Sequence, residues 1–185
     1  CFIVEPLLQG AGGMRMYDIS FLKRARELCD QYDVLLVFDE VATGFGRTGN
    51  RFVADLVLPD ILVLGKALTG GYIGHAVTVA NRKVYEGFYD NNPSHALMHG
   101  PTFMGNALAC SVALKSIEIF ESQDYMAKIR RIEEITAVKW KGFLIRVLKK
   151  FVLWALAYVL KYMIPIQSRN TNNLLINEAY SVVLS

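Results

Sequence analysis

Short apolar runs alternate with amphipathic segments over the first 136 residues of the chain. Runs with the length and apolar content of strands occupy residues 2–5, 34–40, 61–64 and 75–80. A segment of helical periodicity lies between the first two runs, and this is the connection that a parallel crossover needs. The pattern predicts an α/β fold, built on a mostly parallel sheet with flanking helices.

Two segments have the periodicity of an amphipathic helix. Asp18 can cap the first segment, whose apolar side chains fall on one face: Phe21, Leu22, Ala25, Leu28, Cys29 and Tyr32. The second segment runs from Gly105 to Glu121 and repeats apolar residues at the same spacing. We expect one helix over each segment.

The charge balance changes abruptly near residue 136. Residues 1–136 contain 13 Lys and Arg against 16 Asp and Glu, whereas residues 137–185 contain 7 against 1. The formal net charge of +3 is therefore an average over two unlike segments. The basic balance gives no reason to expect nucleic-acid binding, and the change marks a boundary between residues 1–135 and residues 136–185.

The cysteines and histidines do not form a metal-binding pattern. Cys1, Cys29 and Cys110 are widely spaced and odd in number, which is typical of reduced thiols in a cytoplasmic protein. His95 and His99 have no third ligand at zinc spacing. No signal peptide is visible, so we expect a cytoplasmic location and no metal. The chain begins without Met, and we expect it to be a fragment.

Three of the predicted strands end at a charged residue. Glu5 ends the first strand, Asp39 the second, and Lys66 follows the third after a single glycine. In an open parallel sheet, ligands bind outside the carboxyl ends of the strands. A single lysine at such a position otherwise extends into solvent. Two acids and a lysine at one edge indicate a binding site.

Pyridoxal phosphate is a cofactor that uses an aspartate and a lysine together. Its aldehyde reacts with a lysine amine, and its ring nitrogen keeps a proton when a carboxylate lies beside it. Glycines on both sides of Lys66 would let the backbone pass close to a flat ring. Asp39 and Lys66 are therefore candidates for this chemistry.

A competing motif lies at residues 44–49, where the letters GFGRTG fit the dinucleotide pattern GxGxxG. Its context does not fit. Residues 39–43 separate the strand from the first glycine, and no amphipathic helix follows Asn50. No acid ends a strand about 20 residues later, as the pattern requires. We interpret these glycines as residues that shape a loop.

Three longer motifs together resemble the class III pyridoxal-phosphate aminotransferases. They are FDEVATGFGRTG at 38–49, PDILVLGKALTGG at 59–71 and HGPTFMGNALAC at 99–110. The resemblance covers residues 1–135, roughly the middle third of a full-length member. It implies that residues 1–135 are the central part of the cofactor-binding large domain of a fold-type I transferase.

The resemblance also implies roles for residues near the strand ends. Lys66 would be the Schiff-base lysine and would move the proton, and Asp39 would pair with the pyridinium nitrogen. Val41 would press on one face of the ring; an ordinary core valine is the alternative. Glu5 would be a carboxylate that supports the residues of the site without contacting the cofactor. The chain is about two residues shorter than expected between Gly49 and Pro59, which could shift Lys66 relative to Asp39.

Residues just before the second predicted helix would complete the site. By resemblance, Thr102 would bind the cofactor phosphate in the other subunit of a homodimer, Pro101 would shape the turn, and Gly100 would lie against the substrate. A threonine that caps the helix is the alternative for Thr102. A phosphate held beside a helix start agrees with the helix predicted from Gly105.

A narrower resemblance is to the members of this class that act in biotin synthesis. It implies that the amino donor is S-adenosylmethionine and that the acceptor is 8-amino-7-oxononanoate. Two alternatives stay open. One is another class III aminotransferase that acts on an ω-amino acid, and the other is an inactive product of a damaged gene.

The tail from about residue 136 differs from the rest of the chain. Its longest unbroken apolar run, at 151–160, is too short to span a bilayer. A basic amphipathic helix on a membrane surface is an alternative. A shift of one base over residues 150–158 allows the sequence VRxLGxxV, which resembles a strand of this family. We therefore predict that residues 136–185 are a non-native, frameshifted tail and that no membrane is bound.

Overall fold

The computed structural model describes the backbone of residues 1–163 and the side chains of residues 1–139, 144 and 146–150. The chain divides into two compact units, Cys1–Arg130 and Arg131–Ser185. In chain order, the strands and α-helices are β1 (Phe2–Val4), β2 (Leu8–Gln9), β3 (Arg15–Met16), α1 (Ile19–Gln31), β4 (Leu36–Asp39), β5 (Ile61–Leu64), β6 (Val77–Ala80), α2 (Arg82–Glu86), α3 (Ala107–Ser122) and α4 (Tyr125–Met163).

Four strands form the main sheet in the order β1, β4, β5, β6. β1, β4 and β5 are parallel, and β6 is antiparallel to β5. The predicted α/β fold with a mostly parallel sheet is confirmed. The direction of β6 was not predicted. It follows from the connection of residues 65–76, which contains a short 3-10 helix but no crossover α-helix.

The predicted helices are confirmed, with small changes at their ends. α1 begins directly after Asp18, whose Oδ1 accepts a hydrogen bond from Ser20 N at 2.8 Å. α3 begins two residues later than expected, because Gly105 has a φ of 67° and Asn106 takes the capping position. The Asn106 side chain accepts a hydrogen bond from Ala109 N at 3.0 Å.

The hydrophobic core lies between α1, β1 and β4 and the segment that precedes β5. Its buried members are Val4, Leu22, Cys29, Leu36, Phe38, Val53 and Val57. The outer strands expose apolar side chains, including Ile3 on β1 and Val79 on β6. Exposed apolar positions on both outer strands are what a partial domain would show.

The change in composition near residue 136 falls inside α4. Residues Tyr125–Met163 form one helix, so the boundary predicted at 135 does not coincide with the end of an element. The rest of the predicted tail, residues 164–185, lies outside the described residues. Among residues 1–163, none of the helices has the length and the apolar content needed to cross a membrane.

Candidate functional site

The parallel pairing of β4 and β5 places Asp39 and Lys66 at the same edge of the sheet. Asp39 is in register with Val63, and the N–H of the next residue, Glu40, donates to Val63 O at 2.9 Å. Lys66 follows the end of β5 by two residues. The carboxyl ends of neighbouring parallel strands are the usual position of a ligand site in such sheets.

Lys66 occupies an uncommon backbone conformation. Its φ is 46°, in the left-handed region, and it begins a 3-10 helix that ends at Gly70. A non-glycine residue in this region costs about 1 kcal/mol or more, and such strain is concentrated at functional sites. The side chain is exposed, and within residues 1–163 its amine makes neither a hydrogen bond nor an ion pair. The amine is therefore accessible to a ligand at this end of the strand.

Val41 brings the end of β4 into contact with the residue before the lysine. A Cβ added at Gly65 would lie 3.3 Å from Val41 Cγ1 and 3.6 Å from His75 O. The backbone N–H of Val41 donates to Asp39 Oδ1 at 3.1 Å, which orients the half-buried carboxylate. Val41 therefore connects the two candidate residues: it contacts Gly65, which precedes Lys66, and its backbone N–H binds Asp39.

Glu5 is engaged in holding its own loop. Its Oε2 accepts a hydrogen bond from Gly10 N at 3.0 Å, and its backbone carbonyl accepts one from the Tyr17 hydroxyl at 2.6 Å. Burial raises the pKa of Tyr17, and the charge of Glu5 adds to that effect. The carboxylate of Glu5 therefore organises the glycine-rich loop between β2 and β3.

Gly100, Pro101 and Thr102 lie on an exposed loop before α3. Met104 N donates to Pro101 O at 2.8 Å, which closes a turn over these residues. In the described part of the chain, no hydrogen bond or ion pair joins Thr102 to Lys66 or Asp39. The helix cap is filled by Asn106, so the alternative of Thr102 as the capping residue is wrong.

The glycines at residues 44–49 form consecutive turns. Gly49 N donates to Gly46 O at 3.0 Å, and Gly46 N donates to Arg51 O at 3.1 Å. Gly46 has a φ of 89°, and a Cβ there would lie 2.1 Å from Ile129 Cδ1. The loop leads into a 3-10 helix at Val53–Asp55, not into the α-helix that a dinucleotide motif opens.

The sequence reasoning missed Glu40. Its side chain is 0% exposed, and its two oxygens accept hydrogen bonds from Val53 N at 2.9 Å and Ala54 N at 2.8 Å. Burial raises the pKa of Glu40, and the two backbone N–H groups act in the opposite direction. A signal was present, because adjacent carboxylates at a strand end point to opposite faces of the sheet and one of them then faces the core.

An apolar cavity of about 640 Å³ lies beside the 3-10 helix that Lys66 begins. Phe45, Phe120 and Tyr125 line it, with ring centroids 5.9 Å apart for Phe45 and Phe120 and 5.7 Å apart for Phe120 and Tyr125. Neither Lys66 nor Asp39 lines this cavity. This apolar space is therefore distinct from the strand ends that carry Asp39 and Lys66.

The donor set suits an organic aldehyde cofactor better than a metal ion. One lysine amine, which has no polar partner in the described part of the chain, and one half-buried carboxylate lie at neighbouring strand ends. Among residues 1–163, no group of three or more His, Cys, Asp or Glu side chains could hold a metal ion. A lysine and an aspartate in this arrangement fit pyridoxal phosphate.

Comparison with known proteins gives consistent matches for this part of the chain. Adenosylmethionine-8-amino-7-oxononanoate aminotransferase of Mycobacterium leprae is 49% identical over 132 residues, which are 70% of this chain and 30% of that protein. The crystal structure of the enzyme of the same name from Methanocaldococcus jannaschii is 41% identical with a TM-score of 0.65, and the match covers 68% of this chain and 30% of that one. An amine transaminase from an uncultivated Pseudomonas species, in its PLP-bound form, is 41% identical with a TM-score of 0.62 over 66% of this chain and 28% of its own.

The chain spans about 30% of the length of these relatives. The family model described as aminotransferase class-III matches residues 1–140, well over half of the chain. The match includes both strand ends and the whole of α3. The chain therefore belongs to the class III aminotransferases.

Proposed function

We propose that residues 1–135 are the central part of the large domain of a pyridoxal-phosphate enzyme. The full-length enzyme moves the amino group of S-adenosylmethionine to 8-amino-7-oxononanoate and forms 7,8-diaminononanoate, a step of biotin synthesis. The names of the relatives at 49% and 41% identity support the substrates. The observation that carries the proposal is the exposed amine of Lys66, in a left-handed backbone conformation beside the strand that ends at Asp39.

The residues at the strand ends have separate tasks in this proposal. Pyridoxal phosphate, when bound, supplies an electron sink for the electrons that the amino donor releases at its reacting carbon. Lys66 would hold the cofactor at its aldehyde carbon through Nζ, with the aldehyde oxygen leaving as water, and would move the proton between the two reacting carbons. Asp39 would keep the proton on the ring nitrogen, and Val41 would restrict the ring from one face.

The loop before α3 is proposed to act in a partner subunit. Thr102 would bind the phosphate of the cofactor there, Pro101 would shape the turn, and Gly100 would lie against the substrate. The exposure of this loop supports the proposal, because its side chains are free to meet a second chain. The full-length enzyme is then a homodimer with small-molecule substrates. A cytoplasmic location is proposed as well, and the three free cysteines support it.

A trapping experiment tests the assignment of Lys66. The chain is incubated with pyridoxal phosphate, reduced with borohydride and digested, and the labelled peptide is identified by mass spectrometry. We expect the label on Lys66 and its loss in Lys66→Ala. Lys23→Ala is the matched control, because Lys23 is an exposed lysine on α1. A label that stays on another lysine in Lys66→Ala refutes the assignment.

A chimera tests the reaction. Residues 1–135 replace the matching segment of the Mycobacterium leprae relative, and the amino donor is varied between S-adenosylmethionine and a series of ω-amino acids. We expect S-adenosylmethionine to support turnover. A match at 35% identity to the Plasmodium falciparum ornithine delta-aminotransferase favours a second candidate, an ω-amino-acid aminotransferase, and a preference for those donors would identify it.

The remaining alternative is an inactive product of a damaged gene. The change in charge after residue 136 favours it for the 185-residue chain by itself. We expect this chain to show no transaminase activity even where the chimera is active. Activity of the unmodified chain would reject this alternative.

A further inference from the structure

Glu40 is a fully buried carboxylate that the proposed chemistry does not use. It lies between Asp39 and Val41 in the chain, and its oxygens accept the N–H groups of Val53 and Ala54. These donors are the first two residues of the 3-10 helix Val53–Asp55 and have no carbonyl partner within that helix. Glu40 therefore supplies the acceptors that this buried turn requires.

The backbone of Glu40 is held on two further sides. Its N–H donates to Val63 O on β5 at 2.9 Å, and its carbonyl accepts a hydrogen bond from Gly44 N at 3.0 Å. The strand end, the glycine loop and the returning 3-10 helix thus meet at one residue. The peptide N–H that follows Glu40 belongs to Val41, and it donates the hydrogen bond to Asp39 Oδ1.

We propose that Glu40 is a positioning residue that fixes residues 39–41, so that the Asp39 carboxylate keeps its orientation toward the candidate site. Its side chain anchors the returning loop, and the loop in turn holds the end of β4. The expected effect of Glu40 on cofactor binding rests on the proposed function. Its effect on the orientation of Asp39 rests on the hydrogen bonds alone.

Glutamine cannot replace Glu40 in this role. A carboxylate offers two acceptor oxygens, whereas an amide offers one acceptor and one donor group. In Glu40→Gln, the side-chain NH₂ would face the N–H of Val53 or Ala54, and one buried donor would lose its partner. The variant keeps the volume of the side chain, removes the ionisable carboxyl group and changes the hydrogen bonds.

Amide hydrogen exchange on the chain without cofactor tests the inference. We expect Glu40→Gln to lower the protection of Val53 N–H and Ala54 N–H, and also that of Val41 N–H, by about tenfold or more. Leu22→Ala, in the core on α1, is the control, and exchange is compared at denaturant concentrations that give both variants the same global stability. Normal protection at Val41 with lost protection at Val53 and Ala54 would overturn the inference.

A second variant and a second readout complete the test. Glu40→Asp keeps the charge with a shorter reach, and we expect a smaller loss of protection at Val41 than in Glu40→Gln. If Glu40→Gln does not fold, unchanged protection at Val41 in Glu40→Asp overturns the inference. Titration with pyridoxal phosphate should show weaker binding in Glu40→Gln than in Leu22→Ala. If the wild-type chain does not bind the cofactor, the exchange data alone decide the role of Glu40, and the chimera decides the proposed function.

Discussion

Asp60 connects three elements of the sheet through one carboxylate. Oδ2 accepts hydrogen bonds from Leu36 N and from Arg26 Nη1, both at 2.8 Å, and Oδ1 accepts one from Asn81 Nδ2 at 2.8 Å. Leu36 begins β4, Arg26 lies on α1, and Asn81 follows β6. The residue stands directly before β5 and joins this strand to its surroundings. We therefore expect Asp60 to be important for stability.

The expected loss of stability in Asp60→Ala follows from the hydrogen-bond donors that would remain without their acceptor. Leu36 N would be buried without an acceptor, and the Arg26 guanidinium, whose side chain is 20% exposed, would lose one of two carboxylates. Removing one partner of a buried ion pair costs about 3–5 kcal/mol. Since Arg26 keeps Asp30 at 2.6 Å, we expect the free energy of unfolding to fall by about 2–4 kcal/mol.

Asp30→Ala is the matched control for this change. Asp30 pairs with the same Arg26, but its side chain is 67% exposed, so the loss should stay below about 1 kcal/mol. Urea denaturation followed by far-ultraviolet circular dichroism measures both variants against the wild-type chain. If Asp60→Ala loses no more stability than Asp30→Ala, the reasoning about the buried donors is wrong.

The pH dependence of stability gives a second measurement at Asp60. Burial acts to raise the pKa of this carboxyl, but the hydrogen bonds from Leu36 N and Arg26 outweigh it and hold the pKa below its ordinary value. The folded-state pKa is then lower than the unfolded one, so the stabilisation is complete above about pH 4 and is lost as the pH falls through the folded-state pKa. Asp60→Asn should lack this part of the acid dependence; an unchanged acid profile would contradict the argument.

Three further changes test the site and the tail. In the chimera, Asp39→Asn should lower kcat/KM by about 10³-fold or more while the cofactor still binds, and near-normal kcat/KM would show that another group protonates the ring. Gly65→Ala should weaken binding of pyridoxal phosphate to the chain, because its Cβ would lie 3.3 Å from Val41 Cγ1 and would displace that side chain; unchanged affinity would contradict this. Resequencing should find one missing or extra base near codon 136, and an unbroken reading frame without a homologous continuation would reject the frameshift.

The elements that could be predicted have local signals. The apolar runs of β4 and β5 have strand length, and Asp18 is followed by a helical spacing of apolar residues. These signals are present in short stretches of sequence and need no knowledge of the rest of the fold. Once the strands are predicted, their carboxyl ends are known, so the position of Asp39 and Lys66 at those ends could be predicted as well.

The parts that were missed depend on residues that are far apart in the chain. Glu40 finds its partners 13 and 14 residues away, and Asp60 finds Leu36 and Arg26 at separations of 24 and 34. The direction of β6 depends on whether the connection after Lys66 contains a crossover α-helix, and it does not. No local pattern of apolar residues reports the partners of these acids, although the alternation of side chains along a strand indicates that one of Asp39 and Glu40 faces the core.

Thr102 shows a different limit. Its proposed role needs a second subunit, and a single chain leaves its loop exposed and without a bond to Lys66 or Asp39. The resemblance to a family supplies this role, whereas the fold of one chain can only show that the loop is accessible. Thr102 therefore stays a prediction, although the helix after it has been confirmed.

The hydrogen bonds of Asp60 and Glu40 also bear on whether a shorter loop can move Lys66 relative to Asp39. Asp60 fixes the amino ends of β4 and β5, since its N–H donates to Leu36 O at 2.9 Å and its Oδ2 accepts from Leu36 N. At the carboxyl ends, Glu40 N donates to Val63 O. A slip in register would break the bonds at both ends. We therefore expect that a connection shortened by two residues leaves Lys66 in place relative to Asp39, because the backbone hydrogen bonds between β4 and β5 set the separation of the two strand ends.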